Sequence, residues 1–192
     1  MDIFAHVLWA NVGARGANLL ADKKSQVSEN LPDSEGKTRR KFHMHPGWTA
    51  FFGVAPDFFA FTIPFVIGIY QAIFLGAHFG RHHMEVFGFD IAAYLYQWSH
   101  SLIIFAVVFI LVWIISKRPR WELLGWALHI LIDIPSHSIN FYPTPFLFPI
   151  SDYRFPYGIS WGNTAYMIIN YSALTLVWGG IFMKKHFVKK VL

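Results

Sequence analysis

The stretch FFAFTIPFVIGIYQAIFLGAHFG, from Phe58 to Gly80, contains no Asp, Glu, Lys or Arg. A helix needs about 20 apolar residues to cross the ~30 Å hydrocarbon core of a bilayer. Two other uncharged stretches reach this length, Ile91 to Ser116 and Phe155 to Met183, and the helical part of the latter is expected to begin near Ser160. These three stretches predict membrane-spanning helices, and they decide the fold class.

The composition of the 192-residue chain agrees with a membrane protein, since 55% of the residues are hydrophobic and 14% are charged. Soluble domains carry roughly 25% charged residues. Lys and Arg form short clusters at 37–41, 117–120 and 184–190. Clusters at the ends of apolar segments are typical of membrane topology, whereas a nucleic-acid-binding protein needs a continuous basic face. We therefore expect no nucleic-acid partner.

Two weaker segments complete the predicted architecture, Ile3 to Leu20 and Trp121 to about Ser138. The expected fold is all-α, a polytopic membrane bundle of about five helices. It forms a single membrane-embedded domain over 1–192, with a polar loop at about 21–46. Because basic residues favour the cytoplasmic side, the C-terminus is predicted in the cytoplasm and the N-terminus outside, with the chain in the inner (plasma) membrane.

Ionisable side chains inside the predicted helices are the features that require an explanation. His129 and Asp133 lie four residues apart, so they project from one helix face. An Asp at the centre of a membrane helix costs ~2.5–3.5 kcal/mol, so it usually faces the bundle interior and a partner. The candidate metal ligands contributed by the different segments are His6, Asp57, His100, His129 and Asp133, with His137 joining them if the helix continues past Pro135.

Two interpretations of this His/Asp set are open. A His-x-x-x-Asp pair in a soluble helix is more often an ion pair or a hydrogen bond. In a bilayer an unused buried carboxylate is costly, so several such groups on separate helices favour a shared site. The chain has no Cys, hence any metal must be bound by His, Asp or Glu, and imidazole with carboxylate suits one or two Zn²⁺ ions.

Two motifs resemble those of a bacterial family, the LexA-regulated, membrane-bound metal-dependent hydrolases. They are GWALHILIDIPSHS, from Gly125, and PFLFPISDYRF, from Pro145 to Phe155. Upstream, Ser99-His100-Ser101, Ala55-Pro56-Asp57 and His6 stand where this family has similar residues. The order of these residues is also similar to that of the ligands in zinc-dependent phospholipase C and nuclease enzymes, which hydrolyse phosphoesters in an all-helical fold.

The resemblance has one departure that limits the number of metal ions. The family has a second Asp and a His after the residue that corresponds to Asp57, and this chain has Phe58-Phe59-Ala60 there. The remaining ligands imply one metal ion, or two ions that share Asp57 or Asp133.

Together, the residues and the resemblance predict a membrane-bound zinc hydrolase. The expected substrate is a phosphoester of a lipid or lipid-linked molecule, attacked by metal-activated water. Catalytic roles fall to Asp57, His129 and Asp133. Rival hypotheses are a proton- or ion-coupled transporter, since buried Asp and His also form proton relays, and a catalytically inactive metal-binding membrane subunit.

Three further residues are expected near the substrate. Ser99 and Ser101 flank His100 and are expected to orient neighbouring groups at the substrate. Arg154 could bind an anionic head group, because a guanidinium binds phosphate with two hydrogen bonds. An alternative role for Arg154 is to brace its own loop together with Asp152.

Overall fold

The computed structural model describes residues 1–29, 42–74, 76 and 88–191, with the backbone alone for 24–29, 88–89 and 185–191. Within these residues the regular secondary structure is helical, with no strand, which confirms the all-α class. A short 3₁₀ turn, Trp121–Leu123, precedes the fifth helix. The six α-helices are α1 (Ile3–Glu29), α2 (Pro46–Phe74), α3 (Gly88–Ser99), α4 (Leu102–Ser116), α5 (Leu124–Ser136) and α6 (Thr164–Val191).

Two helices are long and apolar enough to cross a membrane, α2 and α6. The pair α3 and α4 passes the same test when taken together, although the two helices are bent by 57°. The described residues therefore hold two or three candidate spans, as expected for a membrane protein, and the predicted five crossings are not confirmed. With 13 residues, α5 is too short to cross the bilayer alone. The orientation of the termini and the inner-membrane location stay predictions.

Two helices extend beyond the boundaries predicted from the sequence. The second helix begins at Pro46 rather than near Phe58, so Asp57 lies within α2. The first helix continues past Leu20 to Glu29, into the region predicted as a polar loop, and the part of that region at 30–41 lies outside the described residues.

The apolar stretch Ile91 to Ser116 is broken at a predicted ligand, His100. Ser101 is the N-cap of α4, and its Oγ accepts hydrogen bonds from the backbone N–H groups of Ile103 and Ile104, both at 3.1 Å. The same hydroxyl donates to the carbonyl of Phe148. Capping by serine satisfies the free N–H groups of a new helix, so α4 begins here. His100 is thereby placed in the break between α3 and α4.

Two glycines bring α1, α2 and α5 close together. A Cβ on Gly125 of α5 would lie 3.0 Å from the backbone N of Gly53 on α2 and would overlap the Thr49 carbonyl. A Cβ on Gly53 would overlap the side chain of Ala10 on α1. Small residues allow such backbone contact between membrane helices. The three helices therefore meet at one point, and the candidate site lies beside it.

Candidate metal centre

Four predicted ligands converge in the interior of the bundle. Asp57 comes from α2, His100 from the break between α3 and α4, and His129 and Asp133 from α5. One ligand atom from each lies within 4.8 Å of all the others, so the cluster could hold a metal ion. The side chains of His100, His129 and Asp133 are at most 1% exposed, and that of Asp57 is 12% exposed.

Five of the six distances between these four atoms are close to those of a tetrahedral metal site. Four ligand atoms at ~2.0–2.1 Å from a tetrahedral ion lie about 3.3 Å from one another. His100 Nε2 and His129 Nε2 are 2.9 Å apart. Asp57 Oδ1 lies 3.4 Å from His100 Nε2 and 3.6 Å from His129 Nε2. Asp133 Oδ2 lies 3.5 Å from His100 Nε2 and 3.2 Å from His129 Nε2.

Hydrogen bonds at Nδ1 fix which nitrogen of each histidine faces the cluster. His129 Nδ1 lies 2.8 Å from the carbonyl oxygen of Gly53. Because a carbonyl only accepts, Nδ1 carries a proton, and Nε2 is the nitrogen that faces the cluster. His100 Nδ1 lies 2.9 Å from Ser99 Oγ, whose hydroxyl can donate onward to the Tyr96 carbonyl at 3.5 Å. Partners of this kind are typical of metal-binding histidines.

Each Nε2 faces carboxylate oxygens, so either a proton on the ring or a metal cation must lie between them. Asp133 Oδ2 is buried and has no hydrogen-bond partner among the described residues. Asp57 and Asp133 also place two negative charges within one small, poorly hydrated space, and like charges there repel strongly. A divalent cation would neutralise both carboxylates and satisfy the unpartnered atoms.

The second oxygen of Asp133 faces a different set of groups. Oδ1 lies 3.0 Å from His6 Nε2 and 3.5 Å from His137 Nε2, and the Met1 amino group also contacts it. The Met1 amino nitrogen is 3.1 Å from His137 Nε2. The buried Nε2 of His6 is not aligned for a hydrogen bond with any described group. Asp133 therefore separates two groups of candidate ligands, one on each carboxylate oxygen.

His137 reaches this position because α5 continues through Pro135 to Ser136, with His137 as its C-cap. Its Nδ1 lies 2.7 Å from the Tyr142 carbonyl, which again leaves Nε2 directed towards Asp133. Burial lowers the pKa of His137 to about 4, so the ring is neutral at pH 7. A neutral imidazole is the form that binds a metal ion.

The three residues predicted near the substrate occupy different environments. Ser99 is buried against His100, and its hydroxyl supports that ring. Ser101 is fully buried, and its hydroxyl is used by the α4 cap and the Phe148 carbonyl. Arg154 lies on the loop after α5 and donates to the neighbouring Tyr153 carbonyl at 3.3 Å. Ser99 and Ser101 thus serve the architecture of the site, and Arg154 stays a candidate for a head group.

Tyr96 belongs to the site and was missed by the sequence analysis. Its ring stacks on the His100 ring with centroids 3.7 Å apart, and its hydroxyl donates to the Tyr142 carbonyl at 3.2 Å. The hydroxyl also lies 3.3 Å from His137 Nδ1. The spacing of four residues between Tyr96 and His100 was the available signal, because residues i and i+4 share a helix face.

Comparison of the chain with protein-family models, curated proteins and solved structures found no match. The resemblance to the LexA-regulated hydrolases is therefore a prediction from the quoted motifs alone. What the structure itself contributes is a buried His/Asp cluster of suitable geometry for a metal ion, in an all-helical chain with membrane-spanning character.

Proposed function

We propose that this chain is a membrane-bound, metal-dependent hydrolase. One Zn²⁺ ion is bound by Asp57, His100, His129 and Asp133, and a second can share Asp133 with His6 and His137. The observation that carries the proposal is the orientation of His129: its Nδ1 proton is fixed by Gly53, so Nε2 faces Asp57 and Asp133, at 3.6 and 3.2 Å. That arrangement is favourable around a cation.

The donor set suits hydrolysis at neutral pH. When held by His100, His129 and Asp133 with Asp57 displaced from it, zinc would have an open position for water, would lower the pKa of that water to ~7 and would polarise a phosphoryl oxygen. The protein holds the ligands rigidly through the Ser99 and Gly53 hydrogen bonds. Asp57 is the most exposed of the four, at 12%, so its carboxylate is placed to accept a proton during the reaction. The substrate class proposed for this chemistry is a lipid or lipid-linked phosphoester.

A proton relay is the second candidate, and one distance favours it. The 2.9 Å between His100 Nε2 and His129 Nε2 also fits a hydrogen bond, through which a proton could pass between the two rings. A metal ion and such a hydrogen bond exclude each other, because both use the same lone pairs. Metal content therefore distinguishes the hydrolase from the relay.

The test is metal analysis of the full chain purified in detergent. We expect stoichiometric zinc in the wild type and its loss in His129→Ala and Asp133→Asn. Matched controls are His43→Ala and Asp152→Asn, which alter exposed residues outside the cluster and should retain the metal. A folded wild type without metal, after incubation with zinc, would overturn the proposal and favour the relay.

An activity assay separates an enzyme from an inactive metal-binding subunit. Release of phosphate or of a phosphorylated head group from mixed lipid vesicles is measured with zinc-loaded protein. The hydrolase proposal expects zinc-dependent release that Asp57→Asn abolishes. Zinc-loaded protein that releases neither product would identify the chain as an inactive metal-binding subunit.

A further inference from the structure

An apolar groove of about 610 Å³ leads to the metal centre. It runs between α2, the first residues of α1 and the loop after α5. Two candidate ligands, Asp57 and His137, form part of its lining. The apolar walls are formed mainly by Phe58, Phe61, Phe65, Val66, Phe141 and Trp161.

The groove has a polar end and an apolar end along α2. Its lining on this helix begins at Asp57 and ends at Val66, nine residues later, which corresponds to about 13 Å at the helical rise. Between them, the Thr62 hydroxyl donates to the Phe58 carbonyl of its own helix at 2.5 Å, so the wall is effectively apolar. Such a shape fits an amphiphile whose head lies at Asp57 and whose chain lies along α2.

The outer wall gives access from the bilayer. Phe58, Phe65 and Val66 are 54%, 55% and 61% exposed on a helix apolar enough to cross a membrane. Side chains exposed on such a helix face lipid, and an apolar chain can enter between them without passing through water. A water-soluble phosphoester would instead have to cross this apolar surface.

A second cavity provides an internal comparison. It measures about 810 Å³ and is lined by apolar side chains that include Trp48, Phe52, Phe59, Trp98, Val108 and Val112. None of the six candidate ligands belongs to its lining. Apolar volume alone therefore does not define the substrate site; of these two cavities, the one lined by Asp57 and His137, called here the α2 groove, combines it with candidate ligands.

We infer that the α2 groove binds the hydrocarbon chain of a lipid phosphate ester and presents its phosphoester to the metal centre. The inference rests on the proposed function, because Asp57 and Asp133 would repel a phosphate unless a cation neutralised them. The hydrocarbon chain of the lipid determines substrate specificity, because its methylene groups are buried against Phe61, Phe65 and Val66.

The experiment uses the full chain in detergent with a photoreactive probe, dodecyl phosphate that carries a diazirine at the end of its chain. Illumination with zinc present should label peptides that contain Phe65 or Val66. Val66→Trp fills the groove and should lose this labelling. Ile69→Trp is the matched control, since Ile69 is also an exposed residue of α2 (51%) but does not line the groove.

Competition on the wild type tests the same inference without a variant. Unlabelled dodecyl phosphate should suppress labelling, and methyl phosphate, which has the head group without the chain, should not. Equal competition by both compounds, labelling of Val108 and Val112 instead, or unchanged labelling of Val66→Trp would each overturn the inference.

Zinc content measured on the same samples separates the two proposals. Bound zinc without labelling of the groove contradicts the groove and leaves the metal centre intact. Labelling of the groove in protein that takes up no zinc contradicts the hydrolase and, with it, the assignment of a phosphoester head.

Discussion

Helices α4 and α5 have similar lengths, 15 and 13 residues, and differ in whether they bury side chains and which ones. The sequence of α4, LIIFAVVFILVWIIS, is almost wholly apolar, and none of its residues is buried. In contrast, α5 exposes Leu131 and buries His129, Asp133 and Ser136. This is the reverse of a water-soluble protein and is the arrangement that a bilayer favours. The exposed apolar side chains of α4 suit a surface that faces lipid, and the buried polar side chains of α5 belong to the candidate site.

The largest expected effect comes from a matched pair of isoleucines on these two helices. Ile130 of α5 is fully buried beside the cluster, and Ile110 of α4 is 52% exposed. Ile130→Ala leaves a cavity and should lower the free energy of unfolding by about 2–5 kcal/mol. Ile110→Ala should change it by less than about 0.5 kcal/mol. Thermal unfolding of both variants in one detergent checks this, and equal losses would mean that α4 is also packed against protein.

The close contact of α5 with α2 should give the next effect. Gly125→Ala places a methyl group against the backbone of Thr49 and Gly53, which cannot move aside as a side chain could. We expect a loss of about 1–3 kcal/mol, together with weaker zinc binding, because α5 must shift away from the Gly53 carbonyl that holds His129.

The control for this variant is Gly179→Ala on α6, where a Cβ meets no heavy atom within 4 Å. It should stabilise the protein by about 0.5–1 kcal/mol, as expected for Gly replaced by Ala within a helix. Calorimetry and zinc content are measured for both. Unchanged stability and zinc binding in Gly125→Ala would show that the two helices tolerate separation.

The same comparison explains which parts of the site could be predicted from the sequence. Helical periodicity places His129 and Asp133 on one face, and the cost of a buried carboxylate implies a partner for Asp133. Those two arguments led to the grouping of Asp57 and His100 with them, and contacts of 3.4–3.6 Å join these residues, whereas His6 lies 3.0 Å from the other oxygen of Asp133. The face of a helix on which a residue lies, and the need of a buried carboxylate for a partner, can therefore be predicted from the sequence.

What the sequence could not supply depends on contacts between distant segments. The break before α4 requires the Phe148 carbonyl as a partner for Ser101, 47 residues away. The orientation of His129 depends on a backbone carbonyl at Gly53, and any residue type carries such a carbonyl. Continuous hydrophobicity from Ile91 to Ser116 therefore predicted one helix where tertiary hydrogen bonds produce two.

The most local effect we expect, which changes metal affinity rather than stability, concerns a single hydroxyl group that orients His100. Ser99→Ala removes the 2.9 Å contact with His100 Nδ1, so the ring loses the partner that fixes its tautomer. Loss of such a partner lowers metal affinity by about 10- to 100-fold, or ~1.4–2.7 kcal/mol. Ser116→Ala on α4 is the matched control, because its hydroxyl donates only to backbone carbonyls, of Val112 and Arg118, both at 2.6 Å. Competitive zinc titration measures both variants. Unchanged affinity in Ser99→Ala would mean that stacking on Tyr96 alone holds the His100 ring in place.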